Sequence, residues 1–503
     1  MEQKNVLNST YRKKIDVVQT SLNVDLQSDN NIAKVLCVTS KPQVTNYEVL
    51  KGELKFSGDV CVTAIYVNEM GEFFKTNTVE SFQGKLLNDD LKIGDVPIFK
   101  VELIEQKILN VASDEIKVSL TLETMVDAFV TDQVNCYSNN DEDIITNSNM
   151  VNFTELVLND RMTFNYEDTV DVKNDISRII STDANVVITN YSLGTDYFTV
   201  EGLISVNLCY ESGDEQKELN QCCKTFKFKE ELEKEGIQKE GLLSLCASIN
   251  ECEIKSEIKD GNVQLLIPVN VWYYYLKTDC VDVIVDAFSL KNKLNLNIES
   301  FKIADKSVMK CFSEKIDGQL VIDDDKPRII KVVGYCGENL NITNSYIDNY
   351  KVVTEGMAQV NVVYLEEDET ESGVLNSVIV EVPFSVENAC DDLNSEMSLT
   401  TQGYITDISV KSKKGKEINI DLEIQLIVNG FSTSEEMALT DVTIGEALTP
   451  KEACLQIYFA RKGNTLWDIS KGLQCKPEQI LNQNPDLNLP LEADEKVVLF
   501  TQK

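Results

Sequence analysis

The 503-residue sequence contains no histidine, which removes Ser-His-Asp and Cys-His catalysis and every histidine-based metal site. No Walker A loop, GxGxxG turn or CxxC pair occurs. Cys222 and Cys223 are adjacent, a spacing that suits neither a zinc knuckle nor a redox pair, and they read as strand residues. Carboxylates cluster at Asp323-Asp324-Asp325, ahead of Lys326-Pro327, and at Glu366-Glu367-Asp368-Glu369, behind an apolar run. Both read as solvated tips, since EF-hand spacing is absent, and only a carboxylate-based hydrolase would be compatible with such an inventory. The chain is expected to be no enzyme and to need no cofactor or metal.

The 14 cysteines are spread along the whole chain, several in apolar runs (Cys61, Cys209, Cys246). The N-terminus has no apolar stretch of signal-peptide length, and the longest apolar candidate, Val263 to Leu276, is interrupted by Gln264, Pro268 and Asn270. Export and membrane insertion are therefore not expected, and the thiols should be reduced and mostly buried. Lys plus Arg minus Asp plus Glu is 47 − 83 = −36, a charge that repels phosphate backbones, so nucleic acid is not an expected partner. From residue 455 onward six basic and six acidic residues balance, so the body carries the excess.

Positioning elements emerge from an internal repeat of domain length. A Thr-Asn pair, then a glycine 13 residues after its threonine, then a tyrosine eight further on, recurs as Thr45-Asn46, Gly58, Tyr66; Thr189-Asn190, Gly202, Tyr210; and Thr343-Asn344, Gly356, Tyr364. Behind each glycine apolar residues alternate in one register, with Val62, Val206 and Val360 on one face and Thr63, Asn207 and Asn361 on the other. Such alternation predicts half-buried strands. The glycine marks a bulge or a close backbone approach. A second strand (Val118 to Leu122, Val263 to Val269, Ile418 to Leu426) follows the tips Ala112-Ser-Asp114, Lys259-Asp-Gly261 and Lys413-Lys-Gly415, the pattern of an antiparallel hairpin. Many short strands with one apolar face predict a mainly β chain of three antiparallel sandwich or barrel-like domains at 10–149, 150–297 and 298–449, with a small module at 455–503. In Trp272-Tyr-Tyr-Tyr275 one face fills a core, and the other is open to packing between domains or subunits.

These residues resemble the SPOCS domain of coat and envelope assembly proteins of endospore-forming bacteria. The third copy carries the resemblance best, with Val353 to Tyr364 followed by Val380-Glu-Val-Pro-Phe384, while the first two copies have Glu80-Ser-Phe82 and Thr225-Phe-Lys-Phe228 in place of the later element.

The C-terminal module reads β-α-α-β. Thr465 and Asp468 suit a helix cap, Pro477 suits the first turn of a second helix, Asn484-Pro485 stops it, and Lys496 to Phe500 is a closing strand. Its Gly463-Asn-Thr-Leu-Trp467 core resembles a LysM module, a family associated with N-acetylglucosamine polymers, with Asn464 in place of the usual aspartate and Asp494-Glu495 in a turn where glycine is common. Leu466, Trp467 and Ile469 are expected in the module's core. The turns Gly463-Asn464-Thr465 and Asn484-Pro485-Asp486 are expected side by side as the binding face for a partner or glycan. The combination resembles morphogenetic proteins of the clostridial spore coat. That resemblance implies a non-catalytic scaffold in the mother-cell cytoplasm at the forespore surface, its module binding a coat-basement ATPase of the stage IV sporulation protein A type, with other coat proteins as further partners. The alternative is a glycan-binding wall protein.

Overall fold

The structure, a computed structural model, describes residues 5–172, 175–213, 219–322, 327–367, 374–413, 415–449 and 455–500. The Asp323 to Asp325 run, Asp368, Glu369, Lys414 and Cys454 lie outside the described residues.

The alternating runs form strands, as expected, and one arrangement recurs three times. In the first repeat β1 (Asn5–Gln27), β6 (Glu115–Cys136) and β5 (Val96–Val111) make one antiparallel sheet in the order β1-β6-β5. β2 (Lys34–Leu50), β3 (Glu53–Val67) and β4 (Phe73–Leu87) make a second, with β3 central. In the second repeat the central strand β13 (Asn262–Ser289) pairs with β7 (Ile144–Val170) and with β11 (Leu242–Ile249) and β12 (Lys255–Lys259), while β8 (Ile176–Leu193), β9 (Tyr197–Ser212) and β10 (Leu219–Glu233) form the partner sheet. In the third, β14 (Asn292–Val321), β19 (Glu417–Ala447) and β18 (Ser398–Lys413) face β15 (Ile329–Asp348), β16 (Lys351–Glu366) and β17 (Val374–Ala389). Each pair of sheets shares an apolar core, in which Val62, Val206 and Val360 are all buried.

The recurring glycine motif is a packing device. Its threonine is the bulged residue of the edge strand: the register with the central strand shifts between Val44 and Asn46, Ile188 and Asn190, and Ile342 and Asn344. The Thr45, Thr189 and Thr343 hydroxyls donate to the carbonyls of Ser57, Glu201 and Glu355, just ahead of the glycines, at 3.4, 3.3 and 3.1 Å. On the other side Gly58, Gly202 and Gly356 pair with Phe82, Phe228 and Phe384. A Cβ on any of the three glycines would lie 2.3–2.4 Å from a carbonyl oxygen of the bulged strand and within 2.6 Å of that phenylalanine ring. Bulge and close approach thus occur together: the bulged strand supplies a carbonyl and the other neighbouring strand a phenylalanine ring against each glycine. Phe82 and Phe228 fill the place that Phe384 fills in the third copy.

Two expectations are corrected by scale. The principal strands are long, 15 residues in β3 and 31 in β19, because one part of each serves its sandwich and another part serves a junction between repeats. In β13, Val263 to Val271 fill the sandwich core, while Val283 packs with Val134 and Phe301 of the neighbouring repeats. The strands behind the glycines are also covered on both faces rather than one. Thr63 is buried, Asn361 donates to the Leu36 carbonyl at 3.0 Å, and Ile65, Cys209 and Val363 meet with Cys37 and Cys336 in one cluster formed by all three repeats. Around the first strands, Thr154 donates to the Thr10 carbonyl at 2.7 Å and accepts from the Ala304 amide at 3.2 Å. The repeats therefore meet one another in a closed set of junctions. Trp272 and Tyr274 join Phe129 and Phe431 at one of them, while Tyr273 and Tyr275 fill the core.

The expectation of uniformly free thiols is also corrected. Eleven described cysteines are in no disulfide, but Cys61 and Cys252 form one across 191 residues of sequence. Cys61 lies on the outer face of β3, which the closure of the repeats turns toward the short 3-10 turn Glu251–Glu253 of the second repeat.

Candidate functional site

The C-terminal module has the expected order: β20 (Leu455–Ala460), α1 (Leu466–Leu473), α2 (Pro477–Gln483) and β21 (Glu495–Phe500), the two strands paired antiparallel. Thr465 caps α1 in a reciprocal box with Asp468, and Pro477 opens α2. Ile469, Leu473, Ile480, Leu491, Val497 and Leu499 form the core, with Leu466 partly buried against it.

Trp467 is not part of that core. Its ring packs on Phe288 with centroids 5.1 Å apart, and its Nε1–H donates to Asp286 Oδ2 at 2.8 Å, both residues belonging to β13. Lys471, one helical turn on, pairs with the same carboxylate at 2.7 Å. Burial alone would raise the Asp286 carboxyl, but Lys471 and the indole N–H outweigh it and hold the group below the usual carboxylate range. Residues at positions i and i+4 of α1 share a face. That face is turned to the second repeat, so Trp467 anchors the module to the body instead of filling the module.

The turn amides are also bound within the module. Asn464 Oδ1 accepts from the Arg461 amide at 2.7 Å, the Gly463 amide donates to the Leu491 carbonyl at 2.7 Å, and Asp494 accepts from the Lys462 amide at 2.8 Å. Asn484 clamps α2 to β21: its amide donates to the Ile480 and Val498 carbonyls at 2.9 and 2.8 Å and accepts from the Val498 amide at 3.1 Å. Thr465, Pro485 and Asp486 are exposed, but the side-chain amides of the two turns are engaged in holding the fold.

What the module does present is a sheet face. Leu455, Ile457 and Phe459 alternate along β20 and are 47%, 51% and 69% exposed, with Phe500 opposite Leu455 at 61%. Lys496 lies over the Phe459 ring at 5.6 Å. This face was missed in the sequence because the run Leu455-Gln-Ile-Tyr-Phe reads as one apolar strand, without saying which side the helices cover. The signal was its strict alternation.

A second candidate lies where the repeats meet. A cavity of about 440 Å³ is bordered by consecutive residues of edge strands from all three, including 40–45 of β2, 246–249 of β11 and 338–342 of β15. Its polar residues link the repeats: Lys41 donates to Asn185 at 3.3 Å, Asn185 to Glu338 at 3.2 Å, and Gln43 to Ser248 at 2.9 Å. Burial pushes the Glu338 carboxyl up to about 7 against the pull of Lys41, whose own value burial lowers. Among the described residues no group of three or more His, Cys, Asp or Glu side chains is placed to hold a metal ion.

The family described as SipL, SPOCS domain matches residues 175–266 and 328–413. The chain carries SPOCS domains. The two SPOCS matches cover equivalent stretches, β8 to the start of β13 and β15 to β18, and contain the threonine bulge, the glycine and the covering phenylalanine of their copies. A SPOCS domain points to a protein of sporulation. Compared with curated proteins, the chain matches none. No described helix is long and apolar enough to cross a membrane.

Proposed function

We propose that this SPOCS protein is a non-catalytic scaffold of spore coat assembly, acting in the mother-cell cytoplasm at the forespore surface. Its three repeats form a stiff body. Its C-terminal module docks to a protein, a coat-basement ATPase of the stage IV sporulation protein A type, and other coat proteins are further partners. The observation that carries this reading is the uncovered face of Leu455, Ile457, Phe459 and Phe500. Aliphatic and phenyl groups side by side on one face of a two-stranded sheet suit the apolar centre of a protein interface. A glycan needs convergent polar groups, and in the turns expected to line a sugar groove the Asn464 side-chain carbonyl oxygen and the whole Asn484 side-chain amide are engaged by the module's own backbone. The Trp467 and Lys471 anchor gives the face a set orientation on the body.

Binding of the full-length chain to the purified ATPase tests the proposal. Phe459→Ala should weaken binding by roughly 30-fold or more, as expected for a central aromatic residue, with the parent's circular dichroism retained. Chitin oligomers and muropeptides should give no titration. Unchanged affinity in that variant would remove the sheet face, and a parent that binds glycan tightly but no coat protein would replace this reading with a wall-binding one.

A further inference from the structure

Cys61 and Cys252 join the first repeat to the second with Cα atoms 6.6 Å apart. The equivalent positions to Cys61, three residues after the motif glycine, are Ser205 and Gln359. The bond is therefore no general requirement of the repeat, and it belongs to this junction alone. Both half-cystines are only partly covered, and Cys61 borders the central cavity. The same wall of the cavity is otherwise crossed by side-chain hydrogen bonds, Gln43 to Ser248 and Lys41 to Asn185. Such contacts open far more readily than a packed core.

We propose that Cys61 and Cys252 are a thiol–disulfide exchange site for low-molecular-weight thiols and disulfides of the glutathione type, and that their bond holds the junction closed over the central cavity. In the closing direction one cysteine thiolate attacks the small disulfide, forming a mixed disulfide and releasing one small thiolate. The second cysteine thiolate then attacks the protein sulfur of that mixed disulfide and releases the other. Two protein thiols lose two electrons and two protons, and the small disulfide gains them as two thiols. In a reducing compartment the pair rests as two thiols and closes as the surroundings oxidise. Two thiols buried where the repeats meet, Cys209 and Cys336, do not compete: burial pushes both well above the ordinary thiol range, which suppresses the attacking thiolate.

Cys246 provides the reporter. It is free, it lines the cavity on β11, and its sulfur accepts from Gln402 across the cavity at 3.8 Å. The full-length chain is equilibrated in mixtures of reduced and oxidised glutathione, its thiols are counted after denaturation, and alkylation of Cys246 by iodoacetamide under native conditions is followed by peptide mass spectrometry. Oxidation should lower the count from 14 to 14 − 2 = 12, with the Cys61 and Cys252 peptides linked. It should slow Cys246 labelling by about tenfold or more, because the bond suppresses the local opening that exposes this thiol. Cys61→Ser and Cys252→Ser should each label at the fast rate in every mixture. If neither variant folds, the parent before and after dithiothreitol supplies the same comparison. The proposal is overturned by 14 thiols persisting under oxidising mixtures, by a bond that millimolar glutathione leaves intact in the folded chain, or by equal Cys246 rates in the two states.

Discussion

Gly202 has room for no side chain: its Cβ would meet the Val187 carbonyl oxygen at 2.3 Å and the Phe228 ring at 2.4 Å. Gly202→Ala should therefore lower stability by about 1–3 kcal/mol through overpacking, and Phe228→Ala by about 3–5 kcal/mol through the gap it leaves. Chemical denaturation of the double variant should show less than the sum, because the ring clash disappears with the ring while the carbonyl clash stays. Glu338 makes a different residue-scale prediction. Its folded value of about 7 lies above the 4.5 of an unperturbed glutamate, so the folded chain holds a proton that the unfolded chain releases. Stability should fall as pH rises from about 4.5 to about 7 and level off above. In Glu338→Gln that segment of the pH–stability curve should flatten, and denaturant midpoints measured across the range would check it.

At the scale of elements, α1 divides its residues between two neighbours: Ile469 and Leu473 face the module, while Trp467 and Lys471 face β13. Trp467→Ala should free the module from the body without unfolding it. Hydrogen exchange would show β21 still protected while the amides around Phe288 lose protection. Because Asp286 is held below the usual carboxylate range, the anchoring ion pair should persist at neutral pH and fail only as acid protonates that carboxylate. Asn484→Ala, by contrast, should destabilise the module itself by about 1–3 kcal/mol, since it removes the clamp between α2 and β21. The capping box and the helix-opening proline were legible in the sequence because they depend on residues within four positions of one another. The outward turn of Trp467 was not, because amphipathic spacing marks two apolar sides of a short helix without saying what covers each.

For the whole molecule, closure of the repeats on one another is the decisive feature. Ile65, Cys209 and Val363 are buried only because each repeat covers its neighbours. A second repeat produced alone should expose Cys209 to thiol reagents and be less stable than the same residues within the full chain, as thiol labelling and calorimetry would show. Removing the Cys61–Cys252 bond should cost about 2–5 kcal/mol of unfolding free energy, because it closes a very long loop of the unfolded chain. The sequence by itself determined the strands, their period-two faces, the domain-length repeat and the order of the C-terminal module, since alternation, turn tips and caps are local properties of the chain. It also marked the glycine of each copy as the place of a bulge or a close backbone approach. Only the tertiary structure decided that Phe82, Phe228 and Phe384 pack against those glycines, that the Thr63, Asn207 and Asn361 faces look onto other repeats, and that Cys61 meets Cys252. Each of these depends on how strands distant in sequence register and how three similar bodies close on one another, and no spacing along one chain encodes which outer face will find a partner.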